Sequence, residues 1–264
     1  MKLKKLLTVA LSSAILVSLV GCSNVKEDNK IIVGVSPNPH AEILEVIKPQ
    51  LEKEGYELEI KVFDDYVLPN TALNEGSLDA NYFQHVPYLE ETVKEKGYKI
   101  TYTEKIHLEP IGLYSDKIKS LDEIKENGII AIPNDPTNGA RALKLLSENG
   151  LIKVKDGELI SVKDIVENPK SIEIKEMNAE QLPTVLKDVE GAVINTNYAL
   201  SANLNPTKDA IVIESKNSPY ANVLAVKEEN KESEKIKALS KALTSKEVKE
   251  FIEKEYKGSI IPSF

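Results

Sequence analysis

Signals for strands and helices alternate along this chain, and that alternation constrains its fold more than any other feature. Residues 31–35, IIVGV, predict a short buried strand, and apolar side chains at helical spacing follow over 43–51. Residues 58–62 alternate between apolar and charged and predict a second strand, and residues 86–97 predict a helix closed by its final glycine. Pro49 predicts a kink or an early end of the first helix. Because strand, helix, strand and helix in this order form parallel βαβ units, the predicted fold class is α/β.

A second run of strand and helix signals begins near Gly112 and continues to the end of the chain. Two α/β series in one chain favour two lobes, with a cleft between them that suits a bound ligand. A single doubly wound domain is the alternative. The predicted strands of this second run are 129–132, 172–174, 191–194, 211–213 and 223–226. Its predicted helices open at the capping box 120–123, span 140–149 and 161–168, and form a pair within 232–256.

The first residues predict an exported protein that is anchored by lipid. A start with three lysines precedes an apolar run over 6–20, and the letters LVGC end at Cys22. The run is too short and too early for a structural membrane helix, and it is typical of an export signal, here 1–21; an uncleaved membrane anchor is the alternative. LVGC resembles the bacterial lipobox, which implies cleavage before Cys22 and lipid on its thiol. Residues 22–30 are then a lipidated tether, and acyl chains hold the protein at the outer face of the cell membrane.

Composition and missing motifs exclude several classes of function. The 34 basic and 42 acidic side chains give a net charge of −8, which argues against nucleic acid as a partner. Neither Gly-x-Gly-x-x-Gly nor a P-loop is present, so no nucleotide cofactor is expected, and no Gly-x-Ser-x-Gly elbow indicates a hydrolase. The three histidines show no metal-ligand spacing, and a zinc site whose ligands converge only in the folded chain is the alternative. We therefore predict a protein without cofactor, metal or catalytic residues.

Aromatic side chains cluster in one short segment although they make up only 5% of the chain. The segment DANYFQHVPY places Tyr82, Phe83, His85 and Tyr88 within seven residues, and Tyr66 follows the preceding strand. Ligands of open α/β sheets lie at the carboxyl ends of strands. These rings therefore predict the wall of a pocket, with ordinary core or turn packing as the alternative.

Three polar residues stand beside predicted strands. Arg141 is the only arginine of the chain, and it falls where the helix after strand 129–132 is expected to start. Its planar fork can pair with a carboxylate through two bonds, and free N–H groups at a helix start would add to the attraction. Asn195 and Asn222 offer amide donors and acceptors that suit a zwitterion. A surface ion pair for the arginine, and turn chemistry for the asparagines, are the alternatives.

Eight short motifs follow one another from residue 65 to residue 220, in the order DYVLPN, DAN, FQH, PYL, NDPTN, VENPK, AVIN and SPY. In this order they resemble the methionine-binding, NlpA-type lipoprotein family, which serves the methionine ABC importer. The resemblance implies the two-lobed type II periplasmic-binding-protein fold with its ligand cleft between the lobes. Lobe I is expected at 31–111 and 216–264, and lobe II at 112–215.

The same resemblance implies a site for L-methionine with an aromatic wall, a carboxylate clamp and a polar end for the head group. Asn197 lies where family members vary and is not carried over. Nothing in the sequence fixes the direction of Glu109, so the partner of the ligand's ammonium stays open. The residues carried over are Tyr66, Phe83, His85 and Tyr88 for the wall, Arg141 for the clamp, and Asn195 and Asn222 for the polar end.

The expected function is therefore binding without catalysis. The protein would take up methionine between its lobes, close by hinge motion, and dock as a monomer on the methionine ABC permease and its ATPase. Another amino acid or a methionine-containing dipeptide is the alternative within the same class. A membrane-anchored hydrolase and a surface adhesin are alternatives from other classes.

Overall fold

The computed structural model describes residues 29–264. The predicted signal 1–21 and Cys22, with the tether up to residue 28, lie outside the described residues. Within the described part of the chain, none of the helices has the length and apolar character that crossing a membrane requires.

Strands and helices alternate along the described chain, as the sequence predicts. The strands are β1 (Lys30–Val35), β2 (Glu57–Val62), β3 (Ala80–His85), β4 (Ile100–Leu108), β5 (Gly112–Tyr114), β6 (Ile129–Pro133), β7 (Lys153–Val154), β8 (Ile165–Glu167), β9 (Glu173–Met177), β10 (Gly191–Ile194), β11 (Val212–Ile213), β12 (Ala221–Lys227) and β13 (Ile261–Pro262). The helices are α1 (Glu42–Lys53), α2 (Leu68–Glu75), α3 (Val86–Lys96), α4 (Pro136–Glu148), α5 (Thr196–Ser201), α6 (Pro206–Asp209), α7 (Glu234–Leu243) and α8 (Lys246–Tyr256).

The first sheet has six strands in the order β13-β4-β12-β3-β1-β2. β1 pairs in parallel with β2 and β3, and β12 lies antiparallel between β3 and β4. α1, α7 and α8 pack with this sheet in one apolar core that includes Ile47, Leu243 and Ile252. α2 and α3 contribute Leu73 and Leu89 to another core against the same strands.

The second sheet has five strands in the order β11-β5-β10-β6-β9. β6 pairs in parallel with β9 and β10, and β5 pairs antiparallel with β10 and β11. α4 packs with it through Leu143 and Leu146, and a further core contains Leu182 and Tyr198. β7 and β8 form a separate two-stranded sheet.

The chain passes between the two sheets twice. It leaves the first sheet at the end of β4, Leu108, and enters the second at Gly112. It returns between Ile213, the last residue of β11, and Ala221, the first of β12. Each of the two sheets has its own apolar cores, so the predicted α/β class is confirmed as two packed units.

Two helix predictions are wrong. The capping box at Ser120 opens only a single 3₁₀ turn, Leu121–Glu123, because five residues separate Glu123 from the start of strand β6 at Ile129. Ser161 and Asp164 likewise bond to each other's backbone and close one 3₁₀ turn. The residues that follow form β8, since the β-branched Ile165 and Val166 favour a strand, and they pair with β7.

The first and fourth helices differ from prediction at one end. α1 continues through Pro49 to Lys53, because Ile47 and Leu51 on either side of the proline are buried in the core. α4 begins at Pro136, four residues before the predicted start. Asp135 is its N-cap, with its carboxylate accepting hydrogen bonds from two backbone N–H groups of the first turn.

Candidate functional site

A cavity lies where the two sheets face each other, beside the carboxyl ends of β3 and β10. All seven residues that the sequence predicts for the ligand site lie on its wall. The further lining residues are Gln84, Glu109, Asn138, Thr196 and Asn197.

Three rings form one side of the cavity. Phe83 comes from the buried strand β3, Tyr88 from the first turn of α3, and Tyr66 from the loop after β2. The ring centroid of Tyr66 lies 5.9 Å from that of Phe83 and 5.9 Å from that of Tyr88. The Tyr88 hydroxyl donates to the backbone oxygen of Tyr66 at 3.0 Å, which fixes the loop against the helix. The sequence prediction of an aromatic wall thus corresponds to three contacting rings from three elements.

His85 ends β3 and is the N-cap of α3. Its Nδ1 accepts the backbone N–H of Tyr88 at 3.1 Å, and its Nε2 lies 3.1 Å from Asn138 Oδ1. Burial, with the charge of Arg141, lowers the pKa of His85 to about 3. The ring is therefore neutral at neutral pH, and its single proton is on Nε2, where it is donated to Asn138 across the cleft.

Asn138 links the two sides of the cavity. Its Nδ2 donates to the Asp135 carboxylate at 3.0 Å, which turns its Oδ1 toward His85 and Asn195. Asn195 donates to that oxygen through Nδ2 at 2.8 Å. The Oδ1 of Asn195 is buried and has no hydrogen-bond partner within residues 29–264. Asn195 therefore presents an unsatisfied acceptor in the cavity wall.

Asn197, which is not among the predicted site residues, presents a donor without a partner among residues 29–264. The Tyr66 hydroxyl donates to its Oδ1 at 2.5 Å. Its Nδ2 is buried and lacks a partner in the described part of the chain. A buried polar atom without a partner costs about 1–3 kcal/mol, so such atoms point to a ligand that satisfies them. The signal available in the sequence was the repeated asparagine of Ile-Asn-Thr-Asn-Tyr directly after β10.

Arg141 lies in the second turn of α4, not at the helix start that the sequence predicted. The N–H groups of that start are capped by Asp135, so they do not add to a pull on an anion. The side chain is 3% exposed, and its Nε and Nη2 donate to Glu214 at 2.9 and 2.5 Å. Nη2 also donates to the backbone oxygen of Glu109 at 2.6 Å. Nη1 has no hydrogen-bond partner among residues 29–264, and it is the donor that remains for a ligand.

Glu109 lines the cavity and is 5% exposed. Its Oε1 lies 2.7 Å from His107 Nε2 and 3.2 Å from His40 Nε2. Burial raises the pKa of Glu109, while the charge of Arg141 works in the opposite direction. Burial lowers the pKa of His40 to about 4 and that of His107 to about 3. Asn222, the remaining predicted residue, accepts from His40 Nε2 at 3.2 Å.

Among the described residues, His40, His107 and Glu109 are the one group whose ligand atoms could surround a metal ion. Their nitrogens and oxygen stand at distances at which an N–H donates directly to a carboxylate. His107 also contacts the Tyr82 hydroxyl through Nδ1. We therefore interpret the group as a hydrogen-bonded network behind the cavity.

Known proteins match this chain over nearly all of its described length. The family model of the NlpA lipoprotein matches residues 31–264. The D-methionine-binding lipoprotein MetQ of Escherichia coli K12 is 46% identical over 250 residues, which cover 92% of each chain. A nutrient binding protein from Burkholderia cenocepacia, solved bound to methionine, is 51% identical, with a TM-score of 0.86 over 89% of this chain and 100% of that one.

An ABC transporter periplasmic substrate-binding protein from Coxiella burnetii is similar as well. It is 44% identical, with a TM-score of 0.85 over 88% of this chain and 100% of that chain. These solved structures confirm the predicted two-lobed binding-protein fold with the cleft between its lobes. The family match and the level of identity together show that this chain belongs to the NlpA lipoprotein family.

Proposed function

We propose that this protein is a lipid-anchored solute-binding protein that captures methionine and delivers it to the permease of an ABC importer. The observation that carries the proposal is the pairing, in one cavity, of an aromatic wall with buried polar atoms that lack partners. A relative solved with methionine bound, and relatives named for methionine binding, support the same ligand. The proposal requires no catalytic step, cofactor or metal.

The aromatic wall suits the methionine side chain. A thioether is apolar and polarizable, and each contact between its sulfur and an aromatic ring contributes about 0.3–1.5 kcal/mol. Tyr66, Phe83 and Tyr88 present their rings together, and His85 adds a fourth, neutral ring. In our proposal these four residues surround the side chain.

The polar end suits an amino-acid zwitterion. Asn195 Oδ1 and the Glu109 carboxylate are acceptors, which an ammonium group requires. Arg141 Nη1 and Asn197 Nδ2 are donors, which a carboxylate requires. Asn222 adds an amide to the same wall. Opposite charges on Glu109 and Arg141 match the two charges of the ligand.

Both sides of the cleft contribute to the site, so closing the lobes would complete it. Hydrogen bonds already cross the cleft, from Tyr66 to Asn197 at 2.5 Å and from Tyr198 to the backbone oxygen of Asp64 at 2.9 Å. We place lobe I at 31–111 and 216–264 and lobe II at 112–215, with hinges where the chain changes sheets.

Delivery is proposed to follow docking on the methionine ABC permease and its ATPase, by a monomer at the outer face of the membrane. Support comes from the relative that is itself an ABC transporter substrate-binding protein. Anchoring is proposed to depend on lipid attached to Cys22. Intact mass of the native protein, with Cys22→Ala as control, tests the anchor: we expect a chain that starts at an acylated Cys22 and partitions with membranes. A native chain that retains Met1 or carries an unmodified cysteine contradicts the anchor alone.

Identifying the ligand that the native protein retains tests the proposed function. The purified full chain is extracted with acid, and the released small molecules are identified by mass spectrometry. We expect methionine, and we expect added methionine to raise the melting temperature, because a ligand at ~100 times its Kd stabilises the folded state by about 2.7 kcal/mol. Retention of another amino acid or a dipeptide, without any shift from methionine, contradicts the proposed substrate.

A further inference from the structure

His40 lies behind the cavity and not on its wall. It belongs to the helical turn Pro37–Ala41, is fully buried, and packs edge-on against Tyr82 with ring centroids 4.7 Å apart. Its Nε2 lies 3.2 Å from Glu109 Oε1 and 3.2 Å from Asn222 Oδ1. Both of these partners line the cavity. One buried nitrogen therefore contacts two groups of the candidate site.

The surroundings of His40 determine where its proton lies. Because burial keeps the pKa of His40 near 4, the ring is neutral at neutral pH and carries one proton. Its Nε2 faces the carboxylate oxygen Oε1 of Glu109 at 3.2 Å, whereas its Nδ1 has no hydrogen-bond partner within residues 29–264, so we infer that the proton is on Nε2. A donating Nε2 in turn requires Asn222 to present its oxygen, since its amide nitrogen is itself a donor. The Nδ2 of Asn222 is thereby directed away from His40, and within residues 29–264 it has no hydrogen-bond partner.

His107 completes the arrangement from β4. Its Nε2 donates to Glu109 Oε1 at 2.7 Å, and its Nδ1 accepts from the Tyr82 hydroxyl. Both histidine N–H groups meet the same oxygen, Oε1, and the backbone N–H of Asn197 also donates to the Glu109 carboxylate, so a ligand's ammonium would join these donors. Only His40 contacts Asn222 as well as Glu109.

We propose that His40 is a positioning residue for the head group of the ligand, acting through the single N–H that it shares between Glu109 and Asn222. That N–H holds the Glu109 carboxylate for the ligand's ammonium and turns the Asn222 amide so that Nδ2 can donate to the ligand's carboxylate. This inference rests on the proposed function, because it takes an amino acid as the occupant. His40 does not touch the ligand in this proposal, but it determines how Glu109 and Asn222 are oriented toward the ligand.

Two substitutions distinguish the effect of losing the N–H donor from the effect of losing the volume of the ring. His40→Leu fills the space without a donor, whereas the amide nitrogen of His40→Gln can stand where Nε2 stands and donate in its place. We expect His40→Leu to lower the affinity for methionine at least about tenfold, because the loss affects charge-assisted hydrogen bonds. We expect His40→Gln to retain affinity within about threefold of wild type. Calorimetric titration of the full chain measures both, and thermal melts establish that each variant is folded.

An analogue of the ligand supplies a second comparison. 4-(Methylthio)butanoate has the thioether and the carboxylate of methionine but no ammonium. Because His40 acts partly through Glu109, the loss caused by His40→Leu should be smaller for this analogue than for methionine. Equal losses for both ligands, equal losses in the Gln and Leu variants, or wild-type affinity in a folded His40→Leu chain would overturn the positioning role.

The tautomer can be measured in the wild-type chain, independently of any variant that fails to fold. Nitrogen-15 NMR of labelled histidines, assigned with His40→Gln and His107→Gln, should show both rings neutral with the proton on Nε2. A proton on Nδ1 of His40 would overturn the inference. If the wild-type chain does not bind methionine, the proposed function fails, while this spectrum still decides the tautomer.

Discussion

Arg141 donates two hydrogen bonds to Glu214, from Nε at 2.9 Å and from Nη2 at 2.5 Å, and thereby ties α4 to the segment that returns to the first sheet. Ser218 donates to the same carboxylate at 3.2 Å, and the guanidinium lies 4.3 Å from the centre of the Tyr220 ring. Arg141, the single arginine of the chain, thus contacts Glu214 and Tyr220 of the returning segment and also lines the cavity. A two-pronged bond from Nε and Nη2 to a ligand is not available in this arrangement, which leaves Nη1.

Replacing Arg141 should therefore affect both binding and stability. Arg141→Ala removes a donor to the ligand and leaves the nearly buried Glu214 without its partner. We expect methionine affinity to fall at least about 30-fold, since losing one partner of a buried charge pair costs ~2–5 kcal/mol. The melting temperature should fall as well, and Arg141→Lys should restore little, because a lysine lacks the fork. Titration calorimetry and thermal melts measure the two effects.

Glu214→Gln is the matched control for that pair. It retains a hydrogen-bond acceptor beside Arg141 and leaves the cavity donors in place. Its affinity for methionine should stay much closer to wild type than that of Arg141→Ala. Near-normal methionine affinity in a folded Arg141→Ala chain would show that the carboxylate is held elsewhere.

The hydroxyl of Tyr66 should matter for binding independently of its ring. Tyr66→Phe keeps the aromatic wall but removes the hydrogen bond that holds Asn197 Oδ1. We expect a loss of about 0.5–1.5 kcal/mol, or about two- to tenfold in affinity. Tyr198→Phe is the control, since it also removes a hydrogen bond across the cleft but Tyr198 does not line the cavity. Equal effects of the two variants would assign the role to closure of the cleft and not to orientation of Asn197.

Phe83 should contribute to recognition of the sulfur. Phe83→Leu keeps an apolar side chain in the wall, and we expect methionine affinity to fall by about two- to tenfold, from ~0.3–1.5 kcal/mol of sulfur–aromatic contact. The affinity for norleucine, which has a methylene in place of the sulfur, should fall less in the Phe83→Leu variant. Competition titrations measure the preference for methionine over norleucine. A preference that is unchanged by Phe83→Leu would remove this ring from sulfur recognition.

Acid should destabilise the protein before its carboxylates titrate. Burial holds the pKa values of His40, His85 and His107 at about 4, 3 and 3, below the ordinary value of 6.5. At a pH between these folded-state pKa values and 6.5, the unfolded chain binds protons on these histidines that the folded chain does not bind. The free energy of unfolding therefore falls as the pH drops below about 6.5. The raised pKa of Glu109 has the opposite effect on stability, because the folded chain takes up a proton at Glu109 more readily than the unfolded chain does.

Denaturant unfolding at about pH 7 and about pH 5 measures this linkage. We expect lower stability at the lower pH, with close to one proton taken up per buried histidine. His40→Gln should reduce the dependence by about one proton. A stability that does not change over this interval would mean that these rings are already charged in the folded protein.

The sequence predicted those parts of the fold that local patterns encode. The strand at 129–132 and the helix after Val86 are present because apolar periodicity and an αL glycine at Gly97 act over neighbouring residues. The helix predicted at 161–168 is absent because pairing with β7 outweighed the capping signal. A strand pairing of this kind is a tertiary contact, which a local pattern does not contain.

The residues of the site likewise divide into those that the sequence could predict and those that depend on tertiary contacts. The aromatic cluster was visible because aromatics are rare in the chain, and Arg141 because it is unique. The direction of the Glu109 side chain could not be predicted, and nothing distinguished Glu214 among the 42 acidic residues, because Glu214 acquires its role from a contact with a residue 73 positions away. The start of α4 was misplaced because Asp135 was not recognised as a cap, which moved Arg141 from the helix end to its second turn.

Direct titration of the full chain with methionine is the most direct test of the proposed function. The protein is purified in detergent, freed of retained ligand by unfolding and refolding, and titrated with each methionine enantiomer in a calorimeter, with norleucine for comparison. We expect saturable binding of methionine at one site per chain, tighter than the binding of norleucine and weakened by Arg141→Ala. A refolded chain that retains its native melting profile yet gives no saturable heat with either enantiomer would contradict it.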